Sequence, residues 1–253
     1  MIRIFVNGVR GQMGRAIERA LVAKPDTAIL VGGVDPDTSS RNFPVYPSWD
    51  LVDAEFDAVI DFSVPSAAME ALKHCVASKK PIVIATTGLS PEQQEQIIEA
   101  SRTIPIFCTG NMSLGINLMR SLCKQAAQML GEDFDVEIIE KHHNRKIDAP
   151  SGTALMLADA VSSAREEKPH YVYGRESKTE RRGPKEIGIH SVRGGTIVGE
   201  HEVWFMGEDE AVVLRHQAFS KRVFATGAIR AAEFLRTKAN GLYSMDDLVA
   251  ELL

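Results

Sequence analysis

The first half of the chain alternates short, continuously apolar segments with segments of helical period, and this alternation constrains the fold most. Ile2 to Val6, Ala28 to Val34, Ala58 to Phe62, Ile82 to Ala85 and Ile104 to Cys108 are strand candidates. Helices are expected over Gln12 to Ala23, Ser66 to Ser78 and Pro91 to Arg102. Strands that are apolar throughout, not on alternate residues only, are buried on both faces. That happens when helices cover a parallel sheet from both sides. The expected architecture is therefore α/β, with an N-terminal Rossmann-like doubly wound parallel sheet.

A glycine turn sits where such a sheet binds ligands. Gly8, Val9, Arg10, Gly11, Gln12, Met13 and Gly14 follow the first strand and open the first helix. Glycines at this spacing let the backbone turn sharply and approach a pyrophosphate, whose charge rests against free amides at the helix N-terminus. The trio alone would serve an ordinary strand–helix turn equally well. Its place in a βαβ unit favours a dinucleotide, because Asp35 ends the second strand and can accept hydrogen bonds from ribose hydroxyls. Ala85 ends one later strand and Thr86 and Thr87 follow it, and Thr109, Gly110, Asn111 and Met112 follow another. Both groups lie at strand C-terminal ends and are expected at the same site.

The pattern changes after Asn111. A helix from Ser113 to Leu130 leads to a strand, Val136 to Glu140, a polar loop and a helix from Gly152 to Ala164. From there to Ser220 the alternation is that of exposed strands, which describes a second, α+β domain. The charged segment Arg175 to Glu186 contains Gly183-Pro184 and is expected to be a solvated loop. Helices from Ala225 to Thr237 and from Met245 are expected to pack back on the first domain. The net charge of −5 argues against a nucleic-acid partner, which would need a surplus of cations. No apolar run reaches membrane-spanning length, so no membrane partner is expected. The chain runs straight into a strand without a leader pattern, so a cytoplasmic location is expected. Cys75, Cys108 and Cys123 are odd in number and lack CxxC spacing, which suggests neither a disulfide framework nor a zinc site.

The most informative stretch is Glu140-Lys-His142-His143-Asn-Arg-Lys146-Ile-Asp-Ala-Pro-Ser151-Gly152-Thr153-Ala. The adjacent histidines follow a strand, so their side chains should point in different directions. That argues against a shared metal ion and for two separate tasks. Ser151 has the character of a helix cap. The amides behind it, the Thr153 hydroxyl and Lys146 would together hold a carboxylate. The cluster thus combines anion binding with proton transfer.

This segment resembles the signature of the dihydrodipicolinate reductase family, Glu-x-His-His-x-x-Lys-x-Asp-Ala-Pro-Ser-Gly-Thr-Ala, at every fixed position. The Gly-x-x-Gly-x-Met-Gly turn, Thr86-Thr-Gly and Val192-Arg-Gly-Gly-Thr-Ile-Val-Gly-Glu-His201 resemble the family too, so the likeness covers nearly the whole chain. The resemblance implies NAD(P)H-dependent reduction of a cyclic, unsaturated pyridine dicarboxylate in lysine and diaminopimelate biosynthesis. It implies His142 as general acid/base and Lys146 as proton donor. His143, Gly152 and Thr153 would bind the substrate, and no metal is implied. It also implies a cofactor domain of 1–112 completed by 220–253, with 113–219 as the substrate and tetramerisation domain. Closure between the domains would exclude water. Met112 stands where relatives often carry phenylalanine, which weakens its carry-over as a nicotinamide contact.

Exposed strands in the second domain, together with the resemblance, imply a homotetramer. NADH is expected to be preferred over NADPH. Relatives that accept NADPH well often carry arginines at the positions of Gln12 and Pro36, and neither of these can donate a charged bond to a 2′-phosphate. Two other functions compete: a different two-domain Rossmann oxidoreductase acting on a related cyclic imine dicarboxylate, or a non-catalytic dinucleotide sensor. Neither requires His142-His143-x-x-Lys146 before Pro-Ser-Gly-Thr.

Overall fold

The structure is a computed structural model that describes residues 1–23, 26–39 and 41–252. In chain order the strands and helices begin with β1 (Ile2–Asn7), α1 (Gln12–Val22), β2 (Ala28–Val34), β3 (Val45–Tyr46) and β4 (Ala58–Asp61). Next come α2 (Pro65–Ser78), β5 (Ile82–Ile84), α3 (Pro91–Ala100), β6 (Pro105–Cys108) and α4 (Leu114–Leu130). They are followed by β7 (Asp135–His142), α5 (Gly152–Ser162), β8 (His170–Tyr173), β9 (Glu186–Arg193), β10 (Gly199–Met206) and β11 (Ala211–Ala218). The last are α6 (Arg222–Leu235), β12 (Gly241–Tyr243) and α7 (Met245–Leu252). The chain divides into two compact units, Met1–Leu114 with Lys221–Leu253, and Gly115–Ser220.

Unit 1 is a seven-stranded sheet in the order β12-β6-β5-β4-β1-β2-β3, parallel at every pairing. Successive residues point to opposite sides of the sheet, and on the central strands β1, β4 and β5 both sides are buried. On β1, Ile2, Ile4 and Val6 join a core shared with α1, α6 and α7. Phe5 joins the opposite core, shared with α2 and α3. This is the two-sided burial that the uninterrupted apolar strands anticipated. The strand order reverses between β1 and β4, which marks the topological switch point at their carboxyl ends.

Unit 2 is a five-stranded mixed sheet, β11-β10-β7-β9-β8. On β7 burial alternates strictly, and Val136 and Ile138 pack with α4 and α5 in one core. His142 lies inside β7, where the sequence placed it just beyond the strand. The short strands β3 and β12 were not anticipated, whereas β8 falls in the stretch expected to alternate as exposed strands. The charged segment 175–186 is a largely exposed loop, as expected, and it is anchored at two points: Arg175 pairs with Glu137 and Glu186 at 2.8 Å each, and Arg182 with Asp135 at 2.5 Å. Among the described residues no helix is long and apolar enough to cross a membrane.

Candidate active site

The glycine turn joins β1 to α1 at the switch point of unit 1. Gly8 has φ +79°, and a Cβ there would lie 2.8 Å from the Phe62 carbonyl oxygen after β4. A Cβ on Gly14 would lie 2.3 Å from the Val9 carbonyl. Both positions therefore exclude any side chain, and the backbone runs bare along the turn. No side chain caps α1 behind Gly11, and its first turn holds no acidic residue. An uncapped helix start behind a bare backbone fits the pyrophosphate of a dinucleotide.

The Asp35 carboxylate accepts from the Arg10 amide at 2.9 Å and from the Asp37 amide at 3.1 Å, fixing the turn to the end of β2. Its remaining lone pairs are available to ribose hydroxyls. The Arg10 guanidinium pairs with Asp37 at 2.9 Å, and Arg41 with Glu18 at 3.1 Å. Val9 and Met112 are buried in the first core, so only their backbones can meet a ligand. Gly11, Gln12, Thr87 and Gly110 are exposed, Met13 and Thr109 half-buried, and Ala85 and Asn111 buried. Thr86 turns its hydroxyl inward, donating to buried Asp61 at 2.6 Å and accepting from the Ser63 amide at 3.0 Å. Asn7 donates to the other Asp61 oxygen at 2.8 Å. This buried network ties together the ends of β1, β4 and β5. The sequence also gave no sign of Lys221, whose ammonium donates to the Gln12 side chain beside the glycine turn.

In unit 2 the signature residues gather at the end of β7. Glu140 and His142 lie on the same strand face, and His142 Nδ1 is 2.6 Å from Glu140 Oε2. Arg193, opposite His142 in the β7–β9 register, reaches Glu140 with two bonds of 2.7 Å. Burial works against the Glu140 anion. Hydrogen bonds from His142, Arg193 and Ser191 outweigh it and hold the carboxyl well below the ordinary range. The other Glu140 oxygen accepts from the Ser151 amide at 3.1 Å. Ser151 caps α5 through the Ala154 amide at 3.2 Å, and its hydroxyl meets His201 Nε2 at 3.1 Å. His201 stands opposite Glu140 on β10, and its ring lies 5.2 Å from that of His142. Burial, and then the charge on His142, push the His201 imidazole down to about 3.

Gly152 is exposed at the start of α5, and a Cβ there would meet nothing within 4 Å. Thr153 follows it, half-buried. Lys146 holds Asp148 with two bonds of 2.8 Å in the loop between. His143 is half-buried, and its backbone amide is bound to the Ile197 carbonyl at 2.8 Å. Sequence reasoning singled out His142, His143, Lys146, Gly152 and Thr153. It gave Arg193 and His201 no role at the site, and only strand register brings them to the signature.

Comparison with known proteins matches both units. A family model described as the N-terminus of dihydrodipicolinate reductase covers residues 2–112, and one described as its C-terminus covers 115–249. A 4-hydroxy-tetrahydrodipicolinate reductase of Caldanaerobacter subterraneus is 52% identical over 98% of both chains. One from Clostridium tetani is 45% identical over 97% of this chain and 96% of its own. The dipicolinate-bound dihydrodipicolinate reductase of Paenisporosarcina sp. TG-14 superposes with a TM-score of 0.80. It is 26% identical and aligned over 96% of this chain and 97% of its own.

Proposed function

The chain belongs to the dihydrodipicolinate reductase family, and from that premise we propose how its own residues carry out the NAD(P)H-dependent reduction of 4-hydroxy-tetrahydrodipicolinate to tetrahydrodipicolinate. The step serves diaminopimelate and lysine biosynthesis. The observation that carries this assignment of roles is that Glu140 joins His142 to the start of α5, so one carboxylate supports both an acid/base and an anion-binding helix end.

The substrate is a dianion. Its carboxylate is held by the amides of Gly152 and Thr153, the Thr153 hydroxyl and the positive end of α5, with His143 as a further contact. When bound, the nicotinamide supplies the hydride. Once the 4-hydroxyl has left as water, hydride addition to the resulting conjugated ring leaves an electron-rich, enamine-like carbon that must take a proton. Lys146 is the donor and His142 the general acid/base that exchanges protons with it or with the ring. Asp148 holds the Lys146 ammonium with two hydrogen bonds until substrate arrives. Although burial opposes its ionisation, the Lys146 bond holds the Asp148 carboxyl below the usual range.

The dinucleotide rests on the Gly8–Gly14 turn, Asp35 and the turns at Ala85–Thr87 and Thr109–Met112, with Lys221 beside the pyrophosphate. NADH is the preferred cofactor. Arg10 and Arg41 already have carboxylate partners, Gln12 and Pro36 carry no charge, and Asp35 and Asp37 repel a 2′-phosphate.

The protein is assigned to the cytoplasm, supported by three free cysteines. It assembles as a homotetramer through unit 2. Both helices of that unit belong to the core on one sheet face, which leaves Trp204 and Val213 on the other. Light scattering should give a tetramer, and a stable monomer at micromolar concentration would end this assignment.

The direct test follows oxidation of NADH and NADPH in parallel with freshly prepared substrate, together with Pro36→Arg. Turnover with both cofactors is expected, with kcat/KM higher for NADH and the ratio moving toward NADPH in the variant. A wild type that favours NADPH would show that another group reads the ribose. No turnover with either cofactor would remove the assigned chemistry.

A further inference from the structure

We propose that Glu140, clamped by Arg193, is a positioning residue that keeps the His142 proton on Nδ1, so that all proton exchange with the substrate or Lys146 passes through Nε2. This rests on the assignment of His142 as the acid/base. An ionised carboxylate can only accept, so the nitrogen 2.6 Å from Glu140 Oε2 must carry hydrogen. Glu140 is fully buried, and neither oxygen has freedom to turn. Oε2 takes His142 and Arg193 Nη1, Oε1 takes Arg193 Nη2 and the Ser151 amide, and the Ser191 side chain adds a further hydrogen bond to the carboxylate. A fork of two guanidinium bonds fixes the carboxylate plane as a single lysine bond would not.

The opposite edge of the ring is kept clear. A Cβ on Gly199 would stand 3.1 Å from His142 Nε2, so the glycine of β10 leaves that nitrogen unobstructed on the strand side. The ionisable groups around His142 are Glu140 on its own strand, Arg193 on β9, His201 on β10 with His216 behind it, and Lys146 in the following loop. Among them Glu140 alone is anionic and in contact with the ring, so it determines which ring nitrogen holds the proton. Through the Ser151 amide the same carboxylate also sets the start of α5. The imidazole and the substrate carboxylate are thereby referred to one fixed point.

Glu140→Gln tests this sharply. A glutamine must place its NH2 either against Ser151 and Arg193 Nη2, or against His142 and Arg193 Nη1. The second opposes one N–H donor instead of two, and it turns the His142 proton over to Nε2. In the wild-type chain, imidazole 15N–1H correlation spectra, assigned by comparison with His142→Ala, should show the His142 proton on Nδ1. In Glu140→Gln the proton should move to Nε2, and kcat should fall at least about tenfold with the KM for cofactor unchanged. Loss of the adjacent negative charge should carry the pH–rate profile to lower pH by about one unit or more. Arg193→Lys should retain more activity than Arg193→Met. Should Glu140→Gln fail to fold, the wild-type spectrum and the Arg193 pair decide. A wild-type proton on Nε2 overturns the proposal, as does an unmoved profile in Glu140→Gln while His142→Ala is inactive. Full activity in His142→Ala would instead remove the acid/base role on which the proposal rests.

Discussion

The two units build their candidate sites in different ways. In unit 1 the candidate dinucleotide surface is largely backbone, with Asp35 and Lys221 as side-chain contributions: Gly8 and Gly14 exclude side chains, Val9 and Met112 are buried, and Thr86 faces inward. In unit 2 the candidate acid/base centre is a set of side chains brought together by strand register beside the helix start at Gly152, with Glu140, His142, Arg193 and His201 contributed by three strands. A polyphosphate common to many enzymes needs only amides at the right spacing. A particular ring that must be protonated needs particular acids, and these must be held individually.

The contrast predicts different responses to substitution, and the largest is in unit 2. His142→Ala or Lys146→Ala should lower kcat by about 10²–10⁴-fold. NADH affinity, read by fluorescence titration, should stay near wild type. If cofactor binding fell as far as turnover, the division of labour would be broken. In unit 1 the comparable injury comes from adding atoms. Gly14→Ala places a methyl 2.3 Å from a backbone oxygen. It should weaken NADH binding at least about tenfold, by shifting the turn at a cost of about 1–3 kcal/mol. Unchanged affinity would mean that the turn does not carry the dinucleotide.

Two threonines sharpen the comparison at smaller scale. Thr153→Val should weaken substrate binding by about 1–3 kcal/mol, because it removes a ligand contact. Thr86→Val should instead lower the urea midpoint by stripping a partner from buried Asp61, which burial already drives toward the protonated form. Unchanged substrate affinity in Thr153→Val would erase the distinction.

The smallest effect is a slope. His201 stays neutral in the fold down to about 3, whereas the unfolded chain takes up its proton near the ordinary value of 6.5. Between those values the unfolded state binds more protons, so stability falls as pH drops below 6.5. His74 and His216, also lowered by burial, add in the same direction. Glu140 contributes only below the ordinary carboxylate value of 4.5. His201→Asn should reduce the loss between pH 6.5 and 5.0 by up to about 1.4 kcal/mol per pH unit. Urea midpoints at both pH values measure it, and an identical slope would show that His201 is protonated in the fold.

Features written locally were legible in the sequence. The doubly wound sheet showed in the apolar runs, the turn in its glycines, and the catalytic segment in fifteen consecutive positions from Glu140 to Ala154. The missing features are those created by pairing. β3 and β12 have two and three residues and no periodicity of their own, and neighbouring strands supply their order. Arg193 and His201 lie far along the chain from Glu140, and although their segment resembles the family's, nothing in it assigned either residue a role. Only the parallel register of β9 and the antiparallel register of β10 place them against it.

Unit 1 is discontinuous, and its first core waits for residues made late. Ala225, Ala228, Ala231, Ala232 and Leu235 of α6 fill the sheet face lined by Val6, Ile60 and Val83, and β12 pairs with β6. A ribosome emits all of unit 2 before any of these residues appear. Until then the nascent sheet has one greasy face uncovered and an open strand edge beside β6, while unit 2 already holds its full sequence for folding. Synthesis from the N-terminus would therefore complete the inserted unit before the unit that flanks it, reversing the usual N-terminal-first order. The interval in which Met1–Leu114 awaits α6 is when this chain is most exposed to aggregation and most in need of a chaperone.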